Sequence, residues 1–283
     1  MNAARFSSHC GRTGFRQEEF SYPWFIDTNA LGDIAVADTD NHRVQVIDAN
    51  NHLTIINPAG KSGHPGHGLG RLWYPRSVKF TPSFMRNCQL AVVDSGNRRV
   101  VMLGVGRPDG FLEEVVDMGN TYYGQPTDLV FDADRGFMFV TDTSKSKVFI
   151  HDSDGRIFSE VRPNARYPLL RPTGIAMDQT GRVFVSDTGN DRVQVYDRNG
   201  ESIGCVVGTD HTKLSRPKGL CVDRQGRILI ADEMNDRVMC LSSDLSTLTE
   251  LVTGVPRPKG VAANNGLVVS TGDPYNFIKF FDV

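Results

Sequence analysis

The chain has 283 residues, 39% of them hydrophobic, and a formal net charge of −2 at pH 7. A chain of this length can bury a large core without disulfides, and its five cysteines are scattered and never spaced as CxxC. These features argue against a disulfide framework or a zinc cluster and favour a reducing compartment, so we predict a cytoplasmic protein. No apolar run reaches the roughly 18 residues of a membrane span, which predicts no membrane association.

In chain order, the sequence repeats an Asp that is followed five residues later by Arg or Lys and then by Val. Each Asp ends an alternating apolar segment such as GRVFVSD, and each basic residue begins another, such as RVQVYD. A Pro opens a short apolar segment upstream of each unit, as in PTGIAMD and PKGLCVD. The Asp–basic pairs are Asp38 and Arg43, Asp94 and Arg99, Asp142 and Lys147, Asp187 and Arg192, and Asp232 and Arg237.

Units of about 40–50 residues with four short strands and Gly, Asp or Asn turns are typical of β-propeller blades. We therefore predict an all-β fold, a six-bladed β-propeller with four-stranded antiparallel blades, in one domain spanning residues 1–283. The last unit stops one strand short, at FFDV. We expect the N-terminal segment to supply its outer strand and close the ring.

The runs DTDNHRV, DSGNRRV, DTGNDRV and EMNDRV, with their Pro-x-Gly segments, resemble the NHL repeat over essentially the whole chain. The N-terminal FSSHCGRTGFRQEEFSYP resembles more specifically the propellers of the tripartite-motif NHL (TRIM-NHL) family. This resemblance implies a recognition module for RNA or protein, often downstream of a ubiquitin-ligase RING domain. We expect the isolated domain to be monomeric.

The recurring Asp–basic pairs are predicted to be structural, because a feature present in five blades is required by every blade. The two residues face each other across a tight turn, where a carboxylate can accept amide hydrogen bonds and pair with the basic group. Lys147 would hold its turn without bidentate geometry. Function is therefore expected where the blades differ.

The segments that join one blade to the next are basic and aromatic, with Asp210 as their one acidic residue. Propeller topology places these segments and the Asp-to-Arg turns on one face, here called the upper face. Cations there attract phosphates, and Tyr rings stack on unpaired bases. The predicted binding residues are Arg71, Tyr74, Arg76, Arg98, Tyr122, Tyr123, Lys145, Arg166, Tyr167, Arg171, Lys213, Arg216, Lys218, Arg257 and Lys259.

Two functions fit this upper face. The first is recognition of single-stranded RNA for post-transcriptional regulation, and the second is a protein-interaction platform that recruits partners to a ubiquitin ligase, since Tyr and Arg also favour protein interfaces. The chain contains no phosphate-binding glycine loop, CxxC motif or nucleophile elbow. His64 and His67 lie in a Gly-rich loop without an evident third ligand. We therefore expect no cofactor, no metal and no enzymatic activity in this domain.

Overall fold

The structure is a computed structural model that describes residues 5–16, 19–48, 53–56, 65–67, 71–82, 89–105, 112–117, 122–264, 267–272 and 276–282. The predicted histidine pair lies partly outside these residues, because His64 is not among them. Strands and short 3-10 turns make up the described secondary structure. No helix in the described ranges has the length and apolar character needed to cross a membrane.

Five four-stranded antiparallel blades are each formed by consecutive strands, numbered in chain order. Their strands are β4 to β7 (Pro23–Thr28, Ile34–Asp38, Arg43–Ile47, Leu53–Ile56), β8 to β11 (Pro75–Phe80, Leu90–Asp94, Arg99–Val105, Leu112–Asp117), β12 to β15 (Pro126–Asp132, Phe137–Asp142, Lys147–His151, Ile157–Glu160), β16 to β19 (Ile175–Met177, Val183–Asp187, Arg192–Tyr196, Ser202–Val206) and β20 to β23 (Pro217–Val222, Ile228–Asp232, Arg237–Leu241, Leu248–Thr253).

The predicted pattern of six four-stranded antiparallel blades needs a correction, because only five blades are continuous in sequence. A further four-stranded sheet is composite: β24 (Pro258–Asn264), β25 (Leu267–Gly272) and β26 (Phe277–Asp282) are joined by β1 (Arg5–Cys10), which pairs antiparallel with β26. The strands β2 (Arg12–Thr13) and β3 (Glu19–Phe20) add a parallel two-stranded sheet that the repeat does not predict. An ion pair of 2.9 Å between Arg12 and Glu19 joins these two short strands.

The inner strands form a closed ring. Each contacts the next in the order β4, β8, β12, β16, β20 and β24, and β24 contacts β4 again. Alternate strand residues form apolar clusters between neighbouring sheets; Phe184 and Leu220, for example, share one cluster. The inner strands approach so closely that a Cβ on Gly219 would lie 2.7 Å from the carbonyl oxygen of Lys259. This contact explains the Gly of the Pro-x-Gly segments.

The short turn after the second strand of a blade forms a hydrogen bond to the next blade. The residue after the repeated Asp donates its side-chain hydroxyl to the carbonyl oxygen of the Pro that opens the following blade. These bonds run from Thr39 to Pro75 (2.7 Å), from Ser95 to Pro126, from Thr143 to Pro172 (2.7 Å) and from Thr188 to Pro217 (2.6 Å). The fifth turn carries Glu233 at this position, which has no hydroxyl to donate.

Candidate functional site on the upper face

Four of the five predicted Asp–basic pairs form buried ion pairs. The distances from arginine Nε to aspartate Oδ2 are 2.7 Å for Arg43 and Asp38, 2.8 Å for Arg99 and Asp94, 2.7 Å for Arg192 and Asp187, and 2.8 Å for Arg237 and Asp232. In the third blade, Lys147 is exposed and pairs with Glu160 at 2.8 Å instead. Asp142 accepts the amides of Gly124 and Gln125. The predicted role of Lys147 is therefore wrong, because its ammonium group is directed to Glu160 on the outer strand β15 and not to Asp142.

Each buried pair holds the segment that leads into its own blade. Asp187 accepts the amide of Leu170 at 2.6 Å, and Arg192 donates to the carbonyl oxygen of Pro168 at 2.9 Å. The fifth blade repeats this arrangement, with Asp232 accepting the amide of Ser215 at 2.7 Å. These segments carry the predicted binding residues, so the buried pairs of the repeat fix where those residues lie.

The residue immediately before the Pro adopts a left-handed backbone in four of the blades and in the composite sheet, with φ between 41° and 51°. Non-glycine residues rarely adopt this conformation, and here a hydrogen bond to the preceding blade accompanies it. The amide of each one donates to a side chain there: Tyr22 to Asn276, Tyr74 to His42, Arg171 to Ser146, Arg216 to Asp191, and Arg257 to Asp236. The repeat thus aligns two tyrosines and three arginines around the upper face.

The residue after each Pro lies at the upper end of the ring axis, on the inner strand or, for Thr173, just before it. Around the ring these residues are Trp24, Arg76, Thr127, Thr173, Lys218 and Lys259. The guanidinium of Arg76 lies 4.2 Å from the ring centroid of Trp24, and the two lysine Nζ atoms lie 5.8 Å and 5.5 Å from it. Three cations therefore converge on one indole, a cation–π arrangement. We call Trp24, Arg76, Lys218, Lys259 and Glu233 the axial cluster.

Glu233 is the acidic member of the axial cluster and is almost fully buried. Its carboxylate contacts the Nζ of Lys259 and lies 3.8 Å from the Nζ of Lys218. Arg216 and Arg257 approach it at 3.6 Å and 3.5 Å. One carboxylate is thus shared by four cations, so the group keeps an excess of positive charge.

Burial and mutual repulsion perturb the cations of the axial cluster. Burial lowers the pKa of Lys218 to about 8, and its neighbours Lys259, Arg216 and Arg76 add to the effect against the attraction of Glu233. Burial likewise lowers the pKa of Arg76 to about 10. An anion placed among these side chains would relieve both the desolvation and the repulsion.

A pocket of about 280 Å³ opens beside the axial cluster, between the fourth and fifth blades. Arg171, Arg216 and Lys218 line it together with the hydroxyl-bearing Thr173 and Thr188. Asp191 also borders the pocket, and its carboxylate accepts the amide of Arg216 at 2.7 Å. The prediction took cations from the turns as well as from the inter-blade segments, but it counted acidic residues only in those segments and so missed the turn carboxylates Asp191 and Asp236 on this face.

The remaining predicted residues lie on successive blades around the upper rim, and one of them is misplaced. Tyr123 is 2% exposed and its hydroxyl lies 2.7 Å from Nε2 of His151, so it cannot stack on a base as predicted. Tyr74, Tyr122 and Tyr167 are 43%, 57% and 41% exposed. The exposed cations at the rim are Arg71, Arg98, Lys145, Arg166 and Lys213.

Sequence reasoning missed two members of the axial cluster. It included neither Trp24 nor Glu233 among the predicted binding residues. The signal for Trp24 was its position after the Pro, which it shares with Arg76, Lys218 and Lys259. The signal for Glu233 was a carboxylate where four other blades carry Thr or Ser.

Comparison with known proteins supports the repeat assignment. The NHL repeat pattern matches residues 20–47 and 169–196. Protein brain tumor of Drosophila melanogaster is 26% identical over 151 residues, which are 53% of this chain and 13% of that protein. The chain therefore contains NHL repeats and spans only a small part of this relative.

Solved structures of similar fold include several enzymes. A gluconolactonase from Xanthomonas campestris aligns with a TM-score of 0.70 at 14% identity, covering 100% of this chain and 98% of that one. A streptogramin B lyase aligns with a TM-score of 0.64 at 13% identity over 96% of both chains. An aldose sugar dehydrogenase from Streptomyces coelicolor aligns with a TM-score of 0.67 at 15% identity, covering 99% and 98%.

These likenesses correct the prediction that the domain is not an enzyme, because enzymes share its fold over nearly the whole chain. At such low identity the likeness shows the fold alone and carries no reaction over to this chain. Within the described ranges, no three His, Cys, Asp or Glu side chains are grouped so that they could hold a metal ion.

Proposed function

We propose that this chain is the recognition module of a TRIM-NHL-type protein and that its upper face binds single-stranded RNA in post-transcriptional regulation. The observation that carries the proposal is the charge around the axial cluster: its cations Arg76, Lys218 and Lys259, together with the neighbouring Arg216 and Arg257, surround the single carboxylate of Glu233. Such an excess of positive charge favours a polyanion, and phosphate contacts supply most of the affinity for nucleic acids.

The exposed side chains of the rim favour binding of single-stranded RNA over binding of a duplex. Tyr74, Tyr122 and Tyr167 expose 41–57% of their surface. The guanidinium of Arg166 lies 5.7 Å from the ring centroid of Tyr167. Unpaired bases stack on aromatic and guanidinium planes at about 1–3 kcal/mol per base, whereas a duplex keeps its base faces covered.

A random single-stranded RNA pool, titrated at two salt concentrations, tests this proposal. Arg171 and Arg216 are exposed at the pocket and belong to none of the buried Asp–Arg pairs, and Glu233 keeps Lys218 and Lys259 as partners when Arg216 is replaced, so both arginines can be reversed to Glu. We expect each reversal to weaken binding and to reduce the salt dependence by about 0.7 in log–log slope for each phosphate that the variant no longer neutralises. The matched control is Arg156→Glu, an exposed arginine in the β14–β15 turn of the lower face, and it should bind like the wild type.

The alternative function is a platform for protein partners, which the exposed Tyr and Arg side chains of the rim also suit. If the folded protein shows no measurable RNA binding at low salt, or if Arg156→Glu weakens binding as much as Arg216→Glu, RNA recognition by the upper face is rejected. In that case the protein-binding function becomes the better interpretation of this surface.

A further inference from the structure

A second cavity lies at the opposite, lower end of the ring axis and is independent of the upper face. Its volume is about 320 Å³, and the inner strands of all six four-stranded sheets contribute to its wall. Most of the residues that line it are apolar, among them Met177, Leu220 and Ala263. The volume is at the lower end of the range for small-molecule sites.

Two charged side chains face this cavity without completing a hydrogen bond to each other. The Nζ of Lys79 lies 3.8 Å from Oδ1 of Asp27, which is beyond hydrogen-bond distance. The other carboxylate oxygen of Asp27 accepts the amide of Phe80 at 2.9 Å. The side chains of Lys79 and Asp27 are 13% and 24% exposed, so both remain accessible from the cavity.

A third charge, Asp128, lies close to this pair but is already occupied. Its carboxylate accepts hydrogen bonds from the hydroxyl of Ser77 at 2.6 Å and from the amides of Leu129 and Ile175 at 2.9 Å and 3.0 Å. Burial alone would lower the pKa of Lys79, but the carboxylates of Asp128 and Asp27 outweigh it, and that pKa is raised. Lys79 therefore keeps its proton and its donor capacity at neutral pH.

We propose that the lower cavity binds a small neutral molecule with an apolar body and a hydroxyl group, and that the hydroxyl bridges Lys79 and Asp27. A hydroxyl accepts a hydrogen bond from an ammonium and donates one to a carboxylate at the same time. An anionic ligand would place a third negative charge beside one ammonium. A cationic ligand would lie next to the charge of Lys79, while the hydrogen bonds that Asp128 already accepts leave Asp27 as the one carboxylate facing it. The apolar wall would cover the rest of the ligand.

Three probes with the same ring and different polar groups test the proposal: benzyl alcohol, benzoate and benzylamine. Binding to the whole chain is followed by NMR of methyl-labelled methionine, with Met177 as the reporter in the cavity wall. We expect benzyl alcohol to shift the Met177 signal and to bind at least tenfold more tightly than the two charged probes. Lys79→Met should reduce its affinity at least fivefold.

Ala263→Leu keeps the test decisive if Lys79→Met fails to fold, because it narrows the cavity and leaves the charged pair in place. We expect it to weaken benzyl alcohol binding at least tenfold, while Ile203→Leu, on the exposed outer strand β19, leaves binding unchanged. The proposal is overturned if no probe shifts Met177, if benzoate binds more tightly than benzyl alcohol, or if Ala263→Leu binds like the wild type.

Discussion

Glu233 shows how one substitution within a repeat creates a new local environment. Four blades place Thr or Ser at this position and use its hydroxyl to hold the next blade. A carboxylate has no proton to donate to the carbonyl of Pro258, so at this point the repeat loses one hydrogen bond. Glu233 instead provides the counter-charge that allows Lys218 and Lys259 to be buried.

Replacement of Glu233 by Gln should destabilise the fold strongly. Both lysines would then be buried without a counter-charge, and removal of one partner of a buried ion pair typically costs about 3–5 kcal/mol. Denaturant unfolding measures the change. Glu160→Gln is the control, because Glu160 pairs with Lys147 at the surface, where a pair contributes about 0–1 kcal/mol. Similar losses in the two variants would contradict the role of Glu233.

RNA affinity should decrease as the pH rises through the lowered pKa of Lys218, which is about 8 in the folded protein. Below this pH, Lys218 is protonated in the free protein. Above it, only the fraction of molecules with a protonated Lys218 binds phosphate in full, so the RNA affinity falls by up to about tenfold per pH unit. Titrations at pH 7 and pH 9 measure the effect. Lys218→Arg should remove the pH dependence, and Lys213→Arg, at an exposed lysine of the same face, should retain it.

Folding responds to the same group with the opposite sign. The lysine pKa is about 10.4 in an unfolded chain, so between about pH 8 and 10.4 the unfolded state binds more protons than the folded state. The contribution of Lys218 to stability is therefore unfavourable below pH 8 and disappears as the pH rises through this range. A decrease in RNA affinity at pH 9 would thus not arise from unfolding through this group.

At the scale of the elements, the hydroxyl bonds between blades are expected to contribute measurably to stability. Thr188→Val keeps the shape of the side chain but removes its donor to the carbonyl of Pro217, and a buried acceptor left without a donor costs about 1–3 kcal/mol. Thermal or denaturant unfolding provides the measurement. Thr253→Val, on the exposed edge of β23, is the matched control, and an equal loss there would argue against the inter-blade role.

The turns also show what sequence comparison between blades predicts and where it fails. The Asp and Arg of four blades pair as the repetition indicates, because the same backbone turn brings them together each time. Lys147 does not pair with Asp142, since an ammonium lacks the extended planar group with which the arginines also reach the backbone carbonyls of the inter-blade segments. Tyr123 failed as a site residue for a different reason: its partner, His151, lies on a strand whose packing the local sequence does not reveal.

At the scale of the whole molecule, closure depends on β1, which supplies the outer strand next to β26. Removal of residues 1–11 would leave the edge of β26 unpaired and should lower the melting temperature, by about 2–4 °C for each kcal/mol lost in a chain of this size. Calorimetry measures the shift. A peptide of residues 1–13 added in excess should restore part of the stability, and a scrambled peptide should not; an unchanged melting temperature would show that β1 is dispensable.

The sequence by itself determined the strand periodicity, the repeated anchors and the basic, aromatic character of the inter-blade segments, because these properties are local and recur at a fixed spacing. Only the tertiary structure decided that residues separated by up to more than 230 positions converge on one axis, namely Trp24, Arg76, Lys218 and Lys259. It also decided which cations share Glu233 and which remain exposed at the rim. The physical reason is ring closure: it brings together equivalent positions of different blades, and their mutual burial sets charges and exposures that no single repeat contains.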